Sequence, residues 1–340
     1  MAGSYSHLSC GALTDVGVRR KNNEDFIKPL PEHGVFCVAD GMGGVQGGEV
    51  ASQAAVTSLE HAFKQLHSPD AVASASGKVQ IIDQALNQAS KWIKQRADKK
   101  GIQGTGTTAV VIAFDGRDPS KAAVVHAGDS RAYRFRRGTL KQITRDHTVA
   151  NAAGLEDESE LPAMFKGVIT RAVGVNAVVE LEQTLVDVAA GDIYLLCSDG
   201  LDKLMTDDDI AGYLKRDGDG DLQVLAQSIV DEVNRRGGVD NISVILIRTS
   251  DPDPESLADE TDDLDQIGGA TSAAADALDK MIPAGERQTD HSVGLQEARQ
   301  KAPEVGKLWF SQNRCLLAII AGCVTLIVLA LVVKHNFGTD

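Results

Sequence analysis

No two cysteines of this chain stand in a CxxC spacing: Cys10, Cys37, Cys197, Cys315 and Cys323 are scattered and odd in number. Cys37 and Cys197 lie inside apolar strand patterns, so they read as reduced, buried thiols of a cytosolic domain. Basic charge is short as well. Lys and Arg total 34 against 48 Asp and Glu, a net of -14, which argues against a nucleic-acid partner. There is no GxxxxGK[ST] loop and no kinase signature, so phosphoryl transfer from a nucleotide is unsupported. Residues 1–10 contain neither Lys nor Arg and are not expected to form a signal peptide. No internal repeat is visible.

What is present suffices for one large domain or two ordinary ones: 340 residues, 43% of them hydrophobic. The acidity is uneven. Residues 251–307 hold 14 acidic and 5 basic side chains and no aromatic one. That composition predicts an acidic flexible linker over 251–315, with at most a transient helix near Ala273–Met281. Leu316–Val333 then runs for 18 residues without a charge, about 27 Å as a helix, close to a bilayer core. It is expected to be a transmembrane helix, the alternative being a core helix packed on the soluble domain. Arg299, Lys301, Lys307 and Arg314 precede it and Lys334 follows, which predicts a single-pass membrane protein with residues 1–310 on the cytoplasmic side and a short tail at 334–340. The remainder, 1–250, is expected to be the working domain.

Within it, everything is arranged around VFCVADGMGGVQGG, residues 35–48. The apolar run Val35–Ala39 reads as a buried strand. It stops at Asp40, glycines follow, and a helical pattern begins. A carboxylate at a strand end, with backbone free to approach, suits a hard cation. Strand, glycines, helix is also the dinucleotide-binding order, but the glycine spacing misses that fingerprint and Asp40 would repel a pyrophosphate. Further on, helices are predicted at Glu49–Leu66, Val79–Arg96, Asp207–Leu214 and Leu222–Val233. Strands are predicted at Gly106–Phe114, Ala122–Ala127, Ala132–Phe135, Thr139–Ile143, Val179–Val188, Asp192–Cys197 and Ile242–Ile247.

Asp40, Asp129 and Asp199 each lie just past an apolar strand, and Asp240 lies just before one. In antiparallel sheets the end of one strand adjoins the start of the next, so all four can meet at one rim. Such a cluster needs a cation to neutralise it. A pair of divalent ions sharing a carboxylate can bind a substrate oxygen and acidify a water, the chemistry of phosphate-ester hydrolysis.

The motifs Arg20–Asp25 (RKNNED), Val38–Gly44 (VADGMGG), Gly104–Ala109 (GTGTTA), Gly128–Ala132 (GDSRA), Asp146-His147, Thr170–Gly174 (TRAVG), Ser198–Leu201 (SDGL) and Asp240-Asn241 occur in one order over residues 8–248. In this the chain resembles the bacterial metal-dependent protein phosphatases of the PPM, or type 2C, family. The resemblance implies an α+β fold, a central β-sandwich of two antiparallel sheets flanked by helices. It implies hydrolysis of phosphoserine and phosphothreonine on proteins by a two-metal-activated water, opposing a serine/threonine kinase, with manganese or magnesium as the ions. By the same resemblance Asp40 bridges the two ions, the Gly41 carbonyl ligates one, and Asp199 and Asp240 hold the other. Glu24 acts through water in the metal shell with Asp25 nearby, and Arg20 grips the phosphate. Asp129 with Asp199 forms a weaker third metal position, and Asn151–Lys166 forms a variable flap. Where some members carry a histidine after Asp-Gly, this chain has Met42, which cannot donate a proton; His147 is expected to be structural. The competing expectation is a phosphatase-like binding module without catalysis, against which Arg20, Asp40, Asp199 and Asp240 stand together.

Overall fold

A computed structural model describes residues 5–43, 47–68, 70–155, 161–252 and 264–281. β1 (Leu8–Asp15), β2 (Asp25–Leu30) and β3 (Val35–Met42) come first, followed by α1 (Gly47–Lys64) and α2 (Ala75–Lys100). Then run β4 (Gly106–Thr107), β5 (Ala109–Phe114), β6 (Lys121–Ala127), β7 (Arg131–Arg136), β8 (Thr139–Gln142), the short α3 (Val149–Ala152) and β9 (Glu182–Asp187). β10 (Ile193–Cys197), the one-turn α4 (Asp199–Asp202), α5 (Asp207–Asp217), α6 (Leu222–Arg235), β11 (Ile242–Thr249) and α7 (Leu264–Lys280) complete the order. One sheet is ordered β1-β11-β10-β7-β8 and the other β2-β3-β5-β6-β9, with β4 paired to β3. The pairings within both sheets are antiparallel, as expected.

The unbroken apolar runs have a geometric cause. Phe36 and Val38 of β3 face the other sheet, while Val35, Cys37 and Ala39 face α1 and α2. A strand covered on both sides has no solvent face on which to place polar residues. Between the sheets, Phe114 meets Phe36 and Tyr194 edge-on, with ring centroids 6.1 and 5.4 Å apart. The outer face of the β10–β11 sheet is covered by α5 and α6 through Leu195, Leu214, Ile229 and Val233. Cys37 and Cys197 are buried free thiols.

Three boundaries differ from expectation. The strand predicted over 106–114 breaks at Thr108 into β4 and β5, because that residue's hydrogen bonds are turned toward Asp40. The strand predicted over 179–188 shortens to β9. The larger correction concerns the linker predicted over 251–315. Its residues 264–280 form α7, which lies on α1 and α2 and buries Ile267, Ala270, Ala274, Ala277 and Leu278. These apolar positions recur at helical spacing, but acids on the intervening positions mask the stripe in a composition count. The compact unit accordingly extends to Met281. The span predicted at 316–333 lies outside the described residues, and among the described residues no helix is long and apolar enough to cross a membrane.

Candidate active site

Arg20, Glu24, Asp40, Gly41, Asp129, Asp199 and Asp240 all line one open cavity of about 620 Å³ at the rim of the sandwich. Both sheets contribute. Asp40 near the end of β3 and Asp129 after β6 come from one; Asp199 after β10 and Asp240 before β11 come from the other. Arg20 and Glu24 sit on the crossing from β1 to β2. The antiparallel order thus brings strand ends and strand starts together as the sequence pattern requires.

Asp40 is fixed through its backbone. Its N–H donates to Thr108 Oγ1 at 2.9 Å, and its carbonyl accepts from the Thr108 N–H at 2.8 Å and from Thr107 Oγ1 at 2.9 Å. The next residue has room for no side chain: a Cβ on Gly41 would lie 2.2 Å from the Gly48 carbonyl oxygen. The Gly41 N–H donates to the Glu24 carbonyl at 3.1 Å, tying the two ligand-bearing segments together. Asn241 fastens the Arg20–Glu24 segment from the other side. Its Oδ1 accepts from the Glu24 N–H at 2.8 Å, and its Nδ2 donates to the Val16 and Asn22 carbonyls at 2.9 Å.

Burial, reinforced by the crowding of like charges, sets the electrostatics. Burial, with Asp25, Asp199 and Asp129 adding to it, pushes the Asp40 carboxyl well above its ordinary range. Burial raises Asp129 to about 7, aided by Asp199. Asp25 rises to about 6 through burial, although Ser243 and Ser198 each donate a hydroxyl to its Oδ2 at 2.7 Å. Asp240 goes the other way: burial would raise it, but Lys203, the Asn241 N–H and Arg20 together hold it below the usual value. Asp199 Oδ1 is buried with no hydrogen-bond partner, as is Asp25 Oδ1. Orphaned, crowded carboxylate oxygens form a hard anionic donor set, which fits manganese or magnesium.

His147 is not in the cavity lining. Its Nδ1 accepts from the Gly128 N–H at 3.2 Å, and its Nε2 faces Glu182 Oε2 at 3.1 Å. It stacks on His126, rings 8° from parallel and 4.5 Å between centroids. These three side chains could be taken for a second metal cluster. Stacked rings, however, aim their nitrogen lone pairs along two parallel planes, and one ion cannot lie in both. His147 therefore supports the turn before Asp129, the structural role expected of it. Thr107, Thr108, Asn241, Ser198 and Ser243 were given no role from sequence. Thr107, Thr108, Ser198 and Asn241 lie within or beside recognisable motifs, whereas Ser243 carries no local signal.

The family model described as protein phosphatase 2C matches residues 19–227. The chain belongs to the protein phosphatase 2C family. It is 31% identical over 242 residues to the serine/threonine phosphatase stp of Listeria welshimeri, covering 69% of this chain and 93% of that protein. It is 33% identical over 251 residues to the serine/threonine protein phosphatase PstP of Mycobacterium tuberculosis, covering 72% of this chain but 46% of that longer protein. Among solved structures, the PstP catalytic domain in complex with two manganese ions superposes with a TM-score of 0.60 at 32% identity, covering 72% of this chain and 99% of that one. α7 lies beyond the matched 19–227 region.

Proposed function

We propose that the rim of the sandwich is a two-metal phosphatase centre: Asp40 would be the ligand shared by both ions, the Gly41 carbonyl would serve one, Asp199 and Asp240 would serve the other, and Glu24 would act through water in the metal shell. The chain is a metal-dependent protein-serine/threonine phosphatase, and phosphoserine and phosphothreonine on proteins are its substrates. The observation that carries this reading is the convergence of four aspartates from two sheets on one cavity, with Asp199 Oδ1 left without a partner. When bound, manganese or magnesium supplies charge neutralisation at the phosphoryl group and a water acidic enough to attack it. Asp129 with Asp199 supports a weaker third position.

The protein's own part is binding and orientation. The Arg20 guanidinium reaches into the cavity from a half-exposed side chain, one edge on Asp240 at 2.8 Å; its remaining donors suit a two-pronged grip on phosphate oxygens. Met42 lines the cavity and offers no proton, and His147 is committed to Gly128 and Glu182. The leaving alkoxide is therefore not protonated by a side chain at either position. Phosphoserine peptide hydrolysis that stops with chelator and returns with manganese supports the assignment. Unchanged turnover in excess chelator overturns it.

The finer setting is also proposed. A serine/threonine kinase supplies the phosphoproteins. Leu316–Val333 anchors the chain in a membrane with the phosphatase on the cytoplasmic side, supported by its 18 uncharged residues and the Lys/Arg excess before them. Recovery of full-length protein in the soluble fraction without detergent, as a monodisperse species, would contradict the anchor.

A further inference from the structure

We propose that Lys203 is a built-in competitor of the metal: its ammonium holds the position between Asp199 and Asp240 and must leave before a divalent ion can occupy it. This rests on the metal assignment above. Lys203 Nζ lies 2.5 Å from Asp199 Oδ2 and 2.7 Å from Asp240 Oδ2. The two carboxylates come from opposite ends of the β10 and β11 connections, yet one cation joins them. Among the described residues, Lys203 is the only ion-pair partner that Asp199 has.

The placement follows from the chain. Lys203 is four residues after Asp199, so one turn of α4 puts their side chains on the same face. Asp202, beside it, is held by Arg131 at 3.1 Å, and Arg131 is held in turn by Asp146 at 2.7 Å. The backbone of α4 is thus pinned while the four-carbon stem of Lys203 is free to swing; the side chain is 41% exposed. An ammonium is a compact point charge with rotatable donors, suited to leaving one pair of oxygens for another.

The exchange couples metal to substrate. Asp240 also pairs with Arg20. An ion that takes over the Asp240 charge releases two cations, the Arg20 guanidinium and the Lys203 ammonium, into the cavity where a phosphate dianion would bind. Divalent ion first and phosphate second is the order this arrangement favours.

Manganese titration calorimetry on metal-free protein tests it. Lys203→Gln is expected to bind manganese about tenfold more tightly at the Asp199–Asp240 position, since no cation must be displaced. Lys203→Arg, and Lys21→Gln at the same cavity wall, should stay within about threefold of the parent because the contacting charge remains. Equal or weaker manganese affinity in Lys203→Gln overturns the proposal, as does a tenfold gain in Lys203→Arg. A parent that binds no manganese overturns the metal assignment itself. A second measurement needs no variant. Acylation of Lys203, followed by mass spectrometry on the parent protein, should speed up several-fold when manganese is added; an unchanged or slower rate contradicts displacement.

Discussion

Asp25 and Asp40 stand directly opposite each other across the β2–β3 ladder. Like charges so placed destabilise a sheet. Ser198 and Ser243 meet part of the cost by donating to Asp25 from the second sheet, while Asp40 turns to the cavity. The pair concentrates negative charge at the base of the site, where a divalent cation would neutralise it.

Metal-free protein should lose stability as pH rises. Asp25 sits at about 6 and Asp129 at about 7 in the fold, against 3.8 for an ordinary Asp. A carboxyl raised in the folded state favours the protonated form, so the loss sets in above about pH 4 and is complete above about pH 7. Melting in chelator should give a lower Tm at pH 7.5 than at pH 5. Manganese binding should release protons, seen as a dependence of calorimetric heat on buffer ionisation enthalpy; no buffer dependence would contradict this.

Asp40→Asn keeps the shape and removes the bridging charge. Activity should fall by roughly 10²–10³-fold or more at saturating manganese, by analogy with losing a preorganised electrostatic group. Activity close to the parent's would refute Asp40 as the shared ligand.

Arg20→Ala should raise KM for a phosphopeptide far more than it weakens manganese binding, because guanidinium binds phosphate and not cations. Removing its contact to Asp240 should even tighten manganese slightly. A collapse of metal affinity at constant KM would refute the assigned role.

Asn241→Ala deletes three hydrogen bonds from a side chain that is 4% exposed. The expected cost is about 2–4 kcal/mol of stability, from backbone groups left unpaired. Because two of those groups, the Glu24 N–H and the Asn22 carbonyl, belong to the Arg20–Glu24 segment, KM should rise as well. Chemical denaturation and steady-state kinetics read the two effects separately.

Truncation after Pro252 should lower Tm relative to a chain ending at Met281. It uncovers the α1–α2 surface beneath Ile267 and Leu278; each buried side chain is worth about 1.5–3 kcal/mol before the cost of ordering α7 is subtracted. Identical melting of the two chains would show that α7 contributes nothing.

The strands and acids were legible because their signals are local. A run such as Val35–Ala39 declares burial on both faces, and an aspartate at its edge has few other uses. Asp40, Asp129, Asp199 and Asp240 reached one cavity for that reason, while Arg20, Glu24 and Gly41, which line it too, were named from the family resemblance. What stayed hidden depends on partners distant in sequence. Asn241 is one residue beyond a predicted ligand, yet its bonds run to carbonyls more than two hundred positions away. Lys203 carries no signal in the sequence, and only α4 places it against Asp199. α7 was masked by its own acids, since composition weighs residues without asking which side of a helix they occupy.

Phe114 touches both Phe36 in its own sheet and Tyr194 in the other. That contact sets how far apart the two sheets ride, and the rim carries half its aspartates on each. The gap available to an ion therefore depends in part on aromatic packing in the buried interior. A substitution that shifts one sheet by a few tenths of an ångström would act as a change of metal affinity while touching no charged group at all.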